Sequence, residues 1–136
     1  MGSKDLERLE ELTPQLKPPV TLPLLIKDVS KEAIEYKISG GEAFGFALYN
    51  NGEVAVQRAY MSKGACFSSH IHPGCREWLL CYSGSILMRI QDIPDKTLLP
   101  GDGSYVDSDI AHECEALEDS WVIGITVPAG EGYPHV

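Results

Sequence analysis

From about residue 24 the chain is written in short runs of apolar, β-branched and aromatic residues, each broken by Gly, Asn, Asp or Pro. Runs of this length with period-two alternation read as strands. The run 44–49 (FGFALY) meets Asn50-Asn51-Gly52 and then 53–60 (EVAVQRAY), and Asn-Gly between two such runs marks a hairpin. Further strands are expected over 65–72, 77–82, 85–91, 104–106, 112–117 and 120–127. Turns are expected at Pro73-Gly74, Ser83-Gly84, Pro94-Asp95, Pro100-Gly101, Ser108-Asp109 and Glu118-Asp119. Many short strands with regular turns, and no long helix after residue 13, predict an all-β sandwich, jelly roll or small barrel.

The first 23 residues follow another pattern. Leu6, Leu9 and Leu12 recur at helical spacing behind a possible N-cap, Ser3, so a short helix is expected over 3–12. Pro14 stops it, and the four prolines between 14 and 23 predict an extended arm. The expected organisation is a helix and Pro-rich arm over 1–23 and one β domain over 24–136, in keeping with a chain of 136 residues.

Charge and cysteine content narrow the function classes. A net charge of -9 argues against nucleic acid and against anionic membrane surfaces, both of which call for clustered Lys and Arg. No apolar run approaches the roughly 20 residues that span a bilayer, and the sequence starts without the apolar core of a signal peptide. A cytoplasmic protein is therefore expected. Cys66, Cys75, Cys81 and Cys114 then stay reduced, and none of them forms a CxxC pair.

The informative stretch is 64–84, GACFSSHIHPGCREWLLCYSG. On a strand, His70 and His72 point to one face. Pro73-Gly74 turns the chain, and Glu77 can face back from the next strand, with His112 completing the set from a later one. Three imidazoles and a carboxylate suit a divalent transition metal and leave positions open for water or substrate. With 4 His and 12 Glu in 136 residues, HxHx4E arises by chance in about 1% of such chains, and with Gly64 and Gly84 added in about one in ten thousand.

This stretch resembles the first motif of the cupin superfamily, G-x5-HxH-x4-E-x6-G, at every specified position. Residues 101–116 resemble the second motif, G-x5-P-x-G-x2-H-x3-N, at Gly101 and His112. They depart from it at Asp107, Asp109 and Ala116, which stand where the motif has Pro, Gly and Asn. The resemblance covers roughly residues 40–128. It implies a jelly-roll β-barrel holding Fe, Mn, Ni or Zn through His70, His72, Glu77 and His112. It also implies a small organic ligand and a metalloenzyme, with a dioxygenase-type oxidoreductase the first expectation and an isomerase or lyase also within its range. Glu77 is then the catalytic candidate, a ligand that can detach to act as a base. The alternative is a non-catalytic protein that binds or senses a small molecule through the metal. A third reading is a metal-free cupin with His70 or His112 as general base, against which the complete ligand set speaks.

Parity assigns the remaining side chains. Cys66, Cys81 and Cys114 share the ligands' face and are expected inside, with Cys75 near the rim. Phe44, Phe46 and Leu48 are expected in the core, and Ile86, Met88 and Ile90 inward. Val54, Val56, Arg58 and Tyr60 share a face that reads as a pocket wall, with Arg58 and Tyr60 the substrate-binding candidates. Trp78 and Tyr82 have the opposite parity to Glu77, so they should lie outside, where a homodimer interface would cover them. The charge is uneven. Residues 92–119 hold nine acids and one base, whereas 54–91 hold Arg58, Lys63, Arg76 and Arg89 against Glu77 alone. An anionic small molecule therefore stays within reach of an acidic chain.

Overall fold

The computed structural model describes residues 33–130. The helix expected over 3–12, the arm over 14–23, the domain boundary at 24 and His135 all lie outside them. The described residues form ten strands and no helix. They are β1 (Ile34–Tyr36), β2 (Ala43–Asn50), β3 (Ala55–Met61), β4 (Cys66–His70), β5 (Arg76–Ser83), β6 (Ile86–Ile90), β7 (Lys96–Leu98), β8 (Gly103–Val106), β9 (His112–Ala116) and β10 (Ser120–Val127). None of the described residues forms a helix long and apolar enough to cross a membrane.

The strands build two antiparallel sheets, β1-β2-β3-β10-β5-β8 and β4-β9-β6-β7. Chain neighbours such as β3 and β4, or β5 and β6, fall in different sheets, so the chain crosses repeatedly between layers, as in a jelly roll. The two strands that the sequence did not announce, β1 and β7, are three residues each and sit at sheet edges. Such edges need little hydrophobic signature because only one neighbour orders them.

Between the sheets the interior is graded along the strands. Met61, Ile86, Met88, Leu98 and Cys81 fill one end and are almost fully buried. Histidines and Glu77 occupy the other end. A single strand shows the gradient: Ala116 and Cys114 of β9 join the apolar core, and His112 begins the polar end. Gly84 holds the turn between β5 and β6 in the left-handed region, at φ +83°. A Cβ there would also run into the backbone of Asp119 and Ser120, which explains a glycine at this motif position.

Inward Ile86 and Met88 agree with parity, but β2 and β3 do not. On β2 the buried positions are Ala43, Gly45 and Ala47, and Phe44, Phe46 and Leu48 lie half-buried on the outer face. The reason is space: a Cβ at Gly45 would stand 2.7 Å from the Tyr36 ring and 2.9 Å from Gln57 Oε1. The inner face at this point admits only small residues, so the large ones turn outward. On β3 the same holds: Ala55, Ala59 and Met61 are buried, and Val56, Arg58 and Tyr60 belong to the outer face. There Arg58 lies over the Phe46 and Trp121 rings, at 4.9 and 5.6 Å from their centres.

Candidate metal and ligand site

His70 ends β4 and His112 opens β9, and the two are register partners across the sheet. His72 lies just past the end of β4, in the loop that Pro73 and Gly74 turn into β5. Cys75 closes that turn, its amide donating to the His72 carbonyl at 3.0 Å. Glu77, the second residue of β5, then faces back into the interior, 9% exposed. The ring centres are 4.4 Å apart for His70 and His112, 4.9 Å for His70 and His72, and 5.2 Å for His72 and His112. One ligating atom from each lies within 4.8 Å of the others. Glu77 Oε2 is 2.8 Å from His72 Nε2, and Oε1 is 3.6 Å from His112 Nε2. The sequence brought all four residues to one place, although His72 gets there from a loop and not from strand alternation.

Tautomers follow from the backbone. His70 Nδ1 is 2.6 Å from the Ser68 carbonyl and His112 Nδ1 is 3.0 Å from the Ile110 carbonyl. A carbonyl only accepts, so each Nδ1 carries the proton and each Nε2 offers a lone pair. His112 Nε2 is buried without a hydrogen-bond partner, since 3.6 Å to Glu77 is too long for one. A buried nitrogen lone pair left in this state is costly. A metal ion shared with the neighbouring rings and carboxylate would satisfy it, so the donor set fits a divalent ion. Burial pushes His70 below the ordinary histidine pKa. Burial also acts against protonated His112, but the Glu77 carboxylate and the Ile110 carbonyl outweigh it and carry its pKa upward.

The cluster lines a cavity of about 360 Å³. Its other walls include Tyr36, Gln57, Phe67, Leu79, Val122 and Gly124. Arg58 and Tyr60 are not among its lining residues. They stand on the opposite face of β3, which corrects their expected place in the pocket wall. The outer face of this sheet is apolar too, so the alternation Val54-Val56-Arg58-Tyr60 looked the same from either side. The inward set of β3 is Gln57, Ala59 and Met61. Tyr36 escaped notice because its strand is three residues long.

The cysteines divide. Cys81 and Cys114 are buried as parity expects, and burial pushes the Cys114 thiol up to about 12. Cys66 departs. Phe67 pairs with Cys114 but His70 with His112, so β4 carries one extra residue across this span. That bulge reverses parity. Phe67 turns inward against Tyr36, and Cys66 pairs with Glu115 and sits beside Glu113 at the edge of the cavity wall. Burial raises the Cys66 pKa, and these two carboxylates add to the shift. Cys75, expected near the rim, is buried, its thiol donating to the Pro73 carbonyl at 3.4 Å.

The second-motif departures also have a local account. Asp109 stands where the motif has glycine and adopts φ +64°, a left-handed conformation that Asp tolerates better than most residues. Its Oδ1 accepts from the Gly74 amide at 3.3 Å, tying the turn before His112 to the turn after His72. Asp107, at the Pro position, accepts from the Ser108 amide at 2.8 Å and so folds the same turn by a side-chain bond.

The sequence matches no protein-family model and no curated protein. Solved structures do match its fold. An RmlC-like cupin from Shewanella frigidimarina aligns with a TM-score of 0.65 at 22% identity, over 74% of this chain and 88% of its own. A predicted oxalate decarboxylase from Thermotoga maritima aligns with a TM-score of 0.64 at 19% identity, over 76% and 96%. KdgF from a Halomonas species gives a TM-score of 0.63 at 20% identity, over 71% and 88%. Two antiparallel sheets, the histidine cluster between them and these structural neighbours agree: the chain has the cupin fold.

Proposed function

We propose that this protein is a metal-dependent enzyme acting on a small organic molecule, with Fe, Mn, Ni or Zn held by His70, His72, His112 and Glu77. The observation that carries the reading is the buried, unpartnered Nε2 of His112, beside two further imidazoles and a carboxylate. When bound, the metal supplies Lewis acidity and, for iron or manganese, a route to dioxygen chemistry, so a dioxygenase-type oxidation is the first reaction to test. The residues' own part is positional and acid–base. The Ser68 and Ile110 carbonyls hold two rings in the ligating tautomer. Glu77 presents one oxygen to His72 and the other to His112, and on release it can accept a proton from substrate. Phe67, Leu79 and Val122 line the approach and keep water few around the reacting atoms.

Metal analysis of the purified chain is the test. About one ion per chain is expected after loading, falling at least about 100-fold in affinity in His112→Ala. Failure of all four ions to bind would end the reading. Oxygen uptake by the iron-loaded form against a metabolite panel then separates an oxygenase from a protein that only binds.

A further inference from the structure

We propose that Tyr36 and Gln57 form a second anchor in the cavity, which holds the far carboxylate of a short organic acid whose near end lies at the histidine cluster. The inference rests on the metal reading above and names its substrate class. Tyr36 Oη donates to Gln57 Oε1 at 2.8 Å. The bond occupies the amide's acceptor and fixes its plane, so the two N–H donors of Gln57 remain for something else. Among the described residues no hydrogen bond takes them, although both side chains line the cavity. The amide nitrogen faces the cavity, where a ligand oxygen can take the place of water. Burial holds the Tyr36 hydroxyl above the usual phenol pKa despite the opposing bond to Gln57, so Tyr36 stays protonated at neutral pH and keeps its one O–H on Gln57, positioning the amide whose N–H groups meet the ligand.

The backbone is cut away to seat this pair. A Cβ at Gly45 would stand 2.8 Å from Tyr36 Oη and 2.9 Å from Gln57 Oε1. Gly124 has a different role. A Cβ there would touch Gln57 at an ordinary 3.7 Å, so no clash forbids it. But Gly124 is the register partner of both Gln57 and Leu79, so its missing side chain leaves the floor between Gln57 and Glu77 open.

Register sets the length of the ligand. Gln57 and Leu79 are two strands apart through Gly124, and Glu77 is two residues further along β5. With strands about 4.8 Å apart and a rise of about 3.4 Å per residue, the two Cα atoms are about 12 Å apart. Allowing about 3 Å for the contact at each end leaves about 6 Å between the ligand's terminal oxygens, the reach of an acid of about four carbons. The wall between is apolar, through Leu79 and Val122, and Lys37 lines the same cavity and adds a positive charge that favours an anion.

The test is calorimetric titration of the zinc-loaded chain, which is redox-inert, with malonate, succinate and glutarate, using butyrate as the one-carboxylate control. Succinate is expected to bind best and butyrate at least about 10-fold more weakly. Gln57→Glu should weaken succinate by about 10-fold or more, because it sets a carboxylate against a carboxylate. Gln57→Leu should weaken it about 5-fold and Tyr36→Phe less, with zinc affinity held within about 2-fold in every variant. If Gln57→Glu does not fold, the other two variants decide. Succinate binding unchanged in the Gln57 variants overturns the second anchor alone, as does zinc-loaded protein that takes up none of the acids. If another of the four ions binds and zinc does not, the same titration is run with that ion; failure of all four to bind overturns the metal reading and this inference with it.

Discussion

At the scale of single residues, the site is a set of nitrogen lone pairs aimed by backbone carbonyls. Ser68 and Ile110 fix the protons of His70 and His112 on Nδ1, and this fixes what Nε2 can do. A proton and a metal compete for Nε2, so metal affinity must fall with pH. The sign at each residue follows from its environment. Glu77 and Ile110 lift His112 above the ordinary 6.5 against the cost of burial, so proton competition there starts on the alkaline side of 6.5. Burial holds His70 below 6.5, so it joins only at more acid pH. Zinc affinity is therefore expected to be level at pH 8, to decline through neutrality and to steepen below about pH 6. Titration with a competing chelator from pH 8 to 5 measures it, and a flat profile would contradict histidine ligation. Glu77→Gln removes the charge that lifts His112, so the onset of the decline should move to lower pH.

At the scale of elements, the two motif loops act as one unit. Asp109 Oδ1 reaches the Gly74 amide across 35 residues of sequence, joining the turn that positions His112 to the turn that positions His72. Asp109→Ala removes that bond and keeps a non-glycine residue at φ +64°. A loss of about 1–2 kcal/mol in unfolding free energy is expected from the combined effect. Asp109→Gly relieves the backbone and loses only the bond, so it should be the milder change. Denaturant unfolding of the two variants checks that order. The elements also show what was legible in the sequence. HxHx4E and His112 were readable because ligand chemistry restricts residue type at fixed spacing, and the hairpin at Asn51-Gly52 because φ +88° at Gly52 favours glycine. Facing was not readable on β2 and β3, where Phe46, Arg58 and Trp121 make the outer side as apolar as an interior. Nor was the bulge between Phe67 and His70, which only the partner strand's register reveals. Tyr36 and Gln57 stayed hidden too: β1 is too short to show a pattern, and Gln57 has the opposite parity to Val54, Val56, Arg58 and Tyr60, the set read as the pocket wall.

At the scale of the whole molecule, the apolar outer face of the six-stranded sheet is the feature that a single barrel leaves unexplained. Trp78, Leu80 and Tyr82 of β5 and Tyr105 of β8 are each at least 36% exposed, and the Trp78 and Tyr105 rings lie 5.1 Å apart. Trp121 continues the face on β10, its ring 5.3 Å from that of Tyr60. A contiguous aromatic surface of this kind on a monomer marks a surface for association. The chain's -9 charge opposes association at long range. Part of it lies on the other sheet, where Arg89 binds Glu113 and Glu115 of β9, while Asp107 accepts from the Tyr105 hydroxyl at 3.2 Å at the margin of the aromatic face. A second copy seated sheet to sheet would bury aromatics against aromatics, which is the self-complementary arrangement a two-fold dimer requires. Light scattering on the full chain is expected to give about twice the 14.9 kDa of one copy. Leu80→Asp, an outward position whose side chain is 40% exposed, should return the single-copy mass while leaving zinc stoichiometry unchanged. A single-copy mass for the unmodified chain at high concentration would show that this face meets something other than itself.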